Sequence, residues 1–203
     1  MEQTYLFSHE ETLNIEEALG RPDGVIAFPT DTVYGLGCLI ENEDSVRKIY
    51  EIKQRDARKP LILLGYSIEC LNKFVKYIPD SISTLTTKHW PGALTIVLQR
   101  SRYVPDYINS DLDTIGIRIP DHQAILEILK RCTPEGVLAT TSANISGEPD
   151  MTKYEEVKKN LGDKVDYLVD DFNIPVSGMP STVITLSKNK SLKVLRQGAI
   201  IID

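Results

Sequence analysis

The sequence predicts one α/β domain with a twisted mixed sheet flanked by helices, and three observations carry that reading. Short runs rich in Val and Ile alternate with segments of helical periodicity over most of the chain. The last two such runs follow one another with no helix between them, which breaks a purely parallel pattern. No Ser/Gly linker, repeat or low-complexity tract divides the 203 residues, so a single domain is expected over 1–203.

In chain order, His9–Leu19 reads as a helix and Val25–Phe28 as the first strand. Asp44–Ile52 reads as the second helix, started at Asn42 or Glu43. Leu61–Leu64, Leu94–Leu98 and Thr114–Ile119 are apolar runs bounded by polar residues and read as strands, with a helix at Ser81–His89 between the first two. Gln123–Arg131 is helical, Val137–Thr141 a strand, and Tyr154–Leu161 a helix stopped by Gly162. Val183–Leu186 and Leu192–Leu195 complete the strands. Such runs imply a sheet buried on both faces, and the loop around 173–179 is where internal disorder is expected.

Composition narrows the function. Lys and Arg number 23 against 29 Asp and Glu, a net charge of −6, which weighs against sequence-blind binding to a phosphate backbone. Cys38, Cys70 and Cys132 stand far apart and only three histidines occur, with no Cys-x-x-Cys or His-x-x-x-His spacing, so a zinc site is not expected and a reducing compartment is. The N-terminus lacks a secretory pattern and no apolar run approaches the roughly 20 residues of a membrane span. A cytoplasmic protein with no membrane partner is therefore expected.

In open α/β sheets ligands gather beyond the carboxyl ends of strands, and four polar segments lie there. Phe28-Pro29-Thr30-Asp31-Thr32-Val33-Tyr34-Gly35-Leu36-Gly37 combines hydroxyls, a carboxylate and glycines, suiting either a ligand loop or a capped turn. Lys53-Gln54-Arg55-Asp56-Ala57-Arg58-Lys59 places four cations in seven positions; a solvated helix end explains Lys53 and Arg55 but leaves Arg58 and Lys59, whereas a polyphosphate would use them all. Thr141-Ser142-Ala143-Asn144-Ile145-Ser146-Gly147 suits an anion-binding turn or a plain loop. Finally, Arg118 interrupts an apolar strand and needs a carboxylate partner, either Asp113, Asp121 or a ligand, while Ser181 and Arg196 flank the last strands.

Together and in this order the motifs resemble the YrdC-like family, specifically the threonylcarbamoyladenylate synthases of the TsaC type. The likeness runs through Phe-Pro-Thr-Asp-Thr-Val-Tyr-Gly-Leu-Gly at 28–37, Lys-x-Arg-x-x-x-Lys-Pro-Leu at 53–61, Trp-Pro-Gly-Ala-Leu-Thr at 90–95, Arg-Ile-Pro-Asp-His at 118–122, Ser-Ala-Asn-x-Ser-Gly at 142–147, Pro-Ser-Thr-Val at 180–183 and Arg-Gln-Gly-Ala-Ile at 196–200. It implies a YrdC-like fold with its core at about 13–198 and without the C-terminal second domain of longer members, and an ATP-dependent nucleotidyltransferase of tRNA processing, joining L-threonine and bicarbonate into threonylcarbamoyl-AMP with release of pyrophosphate. Other, downstream proteins would transfer the group to adenosine 37 of tRNA, which this chain would meet only indirectly or weakly. By the same resemblance Lys53, Arg55, Lys59, Thr114, Ser142, Asn144, Asp150 and Arg196 would line ATP, with Lys53 and Arg55 catalytic, and Thr32, Arg118, Thr140 and Ser181 would hold threonine. Leu64 stands where some longer members carry a histidine that touches threonine.

That chemistry needs proximity and charge neutralisation instead of a nucleophilic side chain, and no catalytic triad is present. ATP with Mg²⁺ is the expected cofactor set; Asp31 is a guess for positioning metal-bound water, and the metal ligands are otherwise unknown. Two other functions stay open at this point: a non-catalytic RNA-binding module, disfavoured by net charge, and adenylation of another carbamoylated amine, as in the related domain of hydrogenase-maturation carbamoyl transferases.

Overall fold

Ser8 starts the first helix: its hydroxyl accepts from the Glu11 N–H while the Glu11 carboxylate accepts from the Ser8 N–H, satisfying two otherwise orphaned donors. The computed structural model describes residues 5–54, 56, 59–109, 112–187, 189 and 191–202. Within them the chain runs α1 (His9–Gly20), β1 (Ile26–Phe28), β2 (Gly35–Cys38), α2 (Glu43–Ile52), β3 (Ile62–Gly65), α3 (Ile68–Asn72), α4 (Asp80–His89), β4 (Leu94–Gln99), β5 (Thr114–Arg118), α5 (Gln123–Arg131), β6 (Val137–Ser142), α6 (Tyr154–Leu161), β7 (Tyr167–Leu168), β8 (Thr182–Leu186) and β9 (Leu192–Arg196). Every expected element is present, Asn42 caps α2 through its side chain, and Gly162 ends α6.

The strands form one sheet in the order β7-β1-β2-β6-β3-β5-β4-β8-β9. The pairs β1–β7, β3–β5 and β4–β8 are parallel and the rest antiparallel, so the sheet is mixed, as the missing helix between the last two expected strands implies. Three elements escape the sequence pattern: β2, α3 and β7. β2 is Gly35-Leu36-Gly37-Cys38, with little strand propensity, yet its glycines are needed where β1 packs against it. A Cβ on Gly35 or Gly37 would lie 2.9 or 2.7 Å from the Phe28 ring. α3 is five residues long and β7 two, too short for periodicity to register.

The expectation of a sheet covered on both faces holds for only part of it. One face packs against α2, α3, α4 and α6 through residues such as Leu36, Leu63, Ile96, Ile117, Ile49, Leu71, Ile82 and Val157. The other carries α1 and α5, whose Ile15, Leu19, Ile125 and Leu129 cover Ile26, Phe28, Leu64 and Leu138. Beyond those two helices the same face is concave and opens as a cavity over β6, β3, β5, β4, β8 and β9. Period-two alternation decides what it receives: β5 sends Ile115 and Ile117 to the core and Thr114, Gly116 and Arg118 to the cavity.

The loop at 173–179 is pinned by backbone bonds from Ser177 N to Asp31 O and from Gly178 N to Thr32 O, at 3.2 and 2.8 Å. Asp166 anchors β1 from its other end, accepting from the Val25 N–H and pairing with Lys48 and Arg21. Burial alone would raise its pKa, but Lys48, the Val25 N–H and Arg21 outweigh burial and hold it below the ordinary carboxylate value. The stabilisation is therefore complete above the unfolded value near 3.9 and disappears as pH falls through the lower folded value. Asp166→Asn is expected to cost about 2 kcal/mol at neutral pH, a fall of roughly 5 °C in Tm, with the deficit shrinking on acidification; a Tm scan from pH 7 to 3 checks it.

Candidate active site

The cavity has a volume of about 410 Å³, within the range of small-molecule sites. Of the sequence-identified residues, Thr32, Thr114, Arg118, Thr140, Ser142, Asp150, Ser181 and Arg196 all line it. Its floor and walls are apolar, with Ile62, Leu64, Val97, Val183 and Leu195 among them. Lys53, Lys59 and Asn144 are not among the lining residues, and Arg55 and Arg58 lie outside the described residues.

Arg118 is only 4% exposed at the end of β5. Its carboxylate partner is Asp31, at 2.5 Å from Nη2, and neither Asp113 nor Asp121 takes that place. Asp121 instead donates its backbone N–H to the same Asp31 oxygen, at 3.0 Å. Arg118 also donates from Nη1 to Thr32 Oγ1 and from Nε to the Gly92 carbonyl, at 3.0 and 2.9 Å. Three of the five guanidinium N–H groups are thus engaged, leaving one on each terminal nitrogen. Asp31, the guessed water ligand, is occupied by this pair.

The neighbouring hydroxyls have defined directions. Thr30 donates to the Val33 carbonyl at 2.6 Å, so the proton it shares with Thr32, across 2.9 Å, belongs to Thr32. Thr32 therefore donates to Thr30, accepts from Arg118 and keeps one lone pair for a ligand donor. Thr140 donates to the Ile62 carbonyl and Ser142 to Asn144 Oδ1, so both present acceptors as well.

Arg196 reaches the same face by a device that alternation does not reveal. Val183 lines the cavity and pairs with Arg196, whereas Ile184, in the opposite core, pairs with Val194. The extra residue, Leu195, is a β-bulge that turns Arg196 over to the cavity side. The guanidinium grips Ser181 through its carbonyl and hydroxyl. Burial lowers the pKa of Arg118 and of Arg196; Asp31 opposes this for the first and Asp150 for the second, while Arg196 adds to the lowering at Arg118. Both remain charged. Two like charges facing one low-dielectric space are relieved by an anionic ligand.

The basic segment after α2 is tied to the loop after β6. Lys53 is 1% exposed, and its ammonium donates to the carbonyls of Ser142 and Asn144 and to Asn144 Oδ1, at 2.5, 2.7 and 2.8 Å. Ser146 N donates to the Lys53 carbonyl, and Lys59 Nζ to Ser146 Oγ at 3.1 Å. Gly147, at φ +95°, makes the turn that closes this loop. Sequence reasoning singled out neither Thr95 nor Asn109. Thr95 stands in the 90–95 motif and was within reach; Asn109 belongs to no motif, and it clamps Leu61 and the Thr114 carbonyl together.

The Sua5/YciO/YrdC family model, described as telomere recombination, matches residues 19–198. A threonylcarbamoyl-AMP synthase of Pyrococcus abyssi is 37% identical over 179 residues, 88% of this chain and 52% of the relative. That of Vibrio parahaemolyticus is 35% identical over 192 residues, 91% of this chain and 99% of the relative. The crystal structure of P. abyssi Sua5 complexed with L-threonine superposes with a TM-score of 0.82 at 36% identity, covering 93% of this chain and 53% of that one. The chain thus spans about half the length of the archaeal relative and nearly all of the Vibrio one.

Proposed function

We propose, because the chain belongs to the Sua5/YciO/YrdC family, that it joins L-threonine, bicarbonate and ATP into threonylcarbamoyl-AMP and pyrophosphate. The observation that carries this reading is the shared cavity in which Arg118 and Arg196 face an apolar floor with acceptor hydroxyls beside them. The threonine carboxylate takes the two remaining N–H groups of Arg118, and its amino group donates to the free lone pair of Thr32. Threonine binding in the P. abyssi relative supports that half of the site.

The amine nitrogen then bonds to the bicarbonate carbon with loss of water, giving a carbamate. The carbamate oxygen attacks the α-phosphorus of ATP, and the bond to the pyrophosphate oxygen breaks in line. Arg196, which lines the cavity and whose charge Asp150 favours, neutralises charge on the transferring phosphoryl group. Ser142 accepts from the nucleoside, and Lys53 holds the 142–144 loop against it. The product would serve downstream proteins that modify adenosine 37 of tRNA. A concave cavity of this size favours small anions over a polynucleotide, and so the synthase over an RNA-binding module.

Mg²⁺ fits this site as a companion of ATP. Among the described residues no cluster of three His, Cys, Asp or Glu could cage a metal, and Asp31 is taken by Arg118. An ion held mostly by phosphates and water, with Asp150 the carboxylate at hand, needs no such cage. It would screen the phosphate oxygens during displacement. Pyrophosphate release is expected to require threonine and bicarbonate together. Release with threonine in carbon-dioxide-depleted buffer, at the rate seen with bicarbonate, would point to ordinary aminoacyl-adenylate formation instead.

A further inference from the structure

We propose that Thr95 is a positioning residue for the threonine subsite, fixing the direction in which the Ser181 hydroxyl meets its ligand; this rests on the function proposed above. Thr95 lies on β4, is 1% exposed and lines the cavity. Parallel pairing of β4 with β8, together with the bond from Thr182 N to the Ala93 carbonyl, sets Ser181 beside it. The two hydroxyl oxygens are 2.8 Å apart.

A hydroxyl offers one proton and two lone pairs. Arg196 Nη2, at 3.1 Å, takes one lone pair of Ser181 Oγ. Thr95 takes a second direction whichever oxygen carries the shared proton, so a single direction is left for a ligand. Thr95 is itself oriented by its surroundings. Its methyl Cγ2 lies 3.2 Å from where a Cβ on Gly116 would stand, so the glycine makes room for the methyl while the hydroxyl turns toward β8.

The same geometry separates the two substrates. Arg196 also holds the Ser181 carbonyl, through Nε and Nη2 at 3.2 and 2.9 Å, and these bonds do not involve Thr95. Loss of the Thr95 hydroxyl frees the Ser181 hydroxyl to rotate yet leaves the Arg196 guanidinium anchored. The effect falls on threonine and spares ATP.

The test compares Thr95→Val, which keeps the shape and removes the hydroxyl, with Thr95→Ser, which keeps the hydroxyl and removes the methyl. Calorimetric titration with L-threonine and steady-state KM values for threonine and ATP are the readouts. T95V is expected to weaken threonine about tenfold with the ATP KM within about twofold, and T95S to stay within about threefold of the wild type. If T95V gives no folded protein, Thr95→Cys supplies the same contrast. Wild-type threonine affinity in T95V, T95S as impaired as T95V, or an equal rise in ATP KM each overturn the inference. A wild-type protein that binds no threonine takes down the functional reading and this inference together, whereas a binding wild type beside an unaffected T95V takes down the inference alone.

Discussion

Arg118→Lys is expected to raise the threonine KM about 100-fold while leaving the ATP KM within about threefold. In the folded chain the guanidinium is fixed by Asp31, Thr32 and the Gly92 carbonyl, leaving one N–H on each terminal nitrogen. A carboxylate uses such a pair as two bonds. Lysine carries a single ammonium, which cannot satisfy Asp31, Thr32 and a ligand carboxylate from the place the fork occupies. Because lysine keeps a charge beside Asp31, the fold should survive with a modest loss in Tm. Arg118→Ala strands Asp31 without its cation and is expected to cost about 3 kcal/mol. A threonine KM unchanged in Arg118→Lys, with only Tm reduced, would make Arg118 a structural partner of Asp31 and nothing more.

Lys53→Ala is expected to lower turnover at least 100-fold and, unlike a helix-end cation, to cost about 4 kcal/mol of stability, roughly 10 °C in Tm. As a solvated charge at the end of α2 its removal would cost about 1 kcal/mol or less. Its ammonium is instead buried against three acceptors of the 142–144 loop, and alanine leaves two carbonyls and the Asn144 side chain without their shared donor. The loop that presents Ser142 to the cavity then loses its anchor. Thermal melts and pyrophosphate release on one preparation separate the two effects. A melting temperature within about 2 °C of the wild type would place the ammonium outside that loop.

Such burial is not legible in a sequence, because a lysine one residue past an amphipathic helix looks like a charge complementing the helix dipole. The apolar strands were legible, since uninterrupted Val and Ile runs have few other uses, and so were the residues of the motifs. Thr32, Thr114, Arg118, Thr140, Ser142, Asp150, Ser181 and Arg196, scattered from 32 to 196, meet at one cavity. What brings them together was not legible. A strand of Gly35-Leu36-Gly37-Cys38 exists because the Phe28 ring needs the space of two missing Cβ atoms, a tertiary cause with no periodic trace. Arg196 faces the site through a one-residue bulge, whereas regular alternation would send it to the Val194 side. The identity of Arg118's partner also depended on topology: Asp31 is distant in sequence, and the nearby Asp113 and Asp121 were the local candidates.

The meeting of threonine, bicarbonate and ATP in one cavity is tested most directly by dual labelling. The chain is incubated with ATP, Mg²⁺, ¹⁴C-bicarbonate and ³H-threonine, and the quenched mixture is separated by chromatography for a labile adenylate. A single ultraviolet-absorbing product carrying both labels in equal molar amount, formed together with pyrophosphate, is the predicted result. An adenylate labelled by threonine alone, or no adenylate while ATP is consumed, would contradict it.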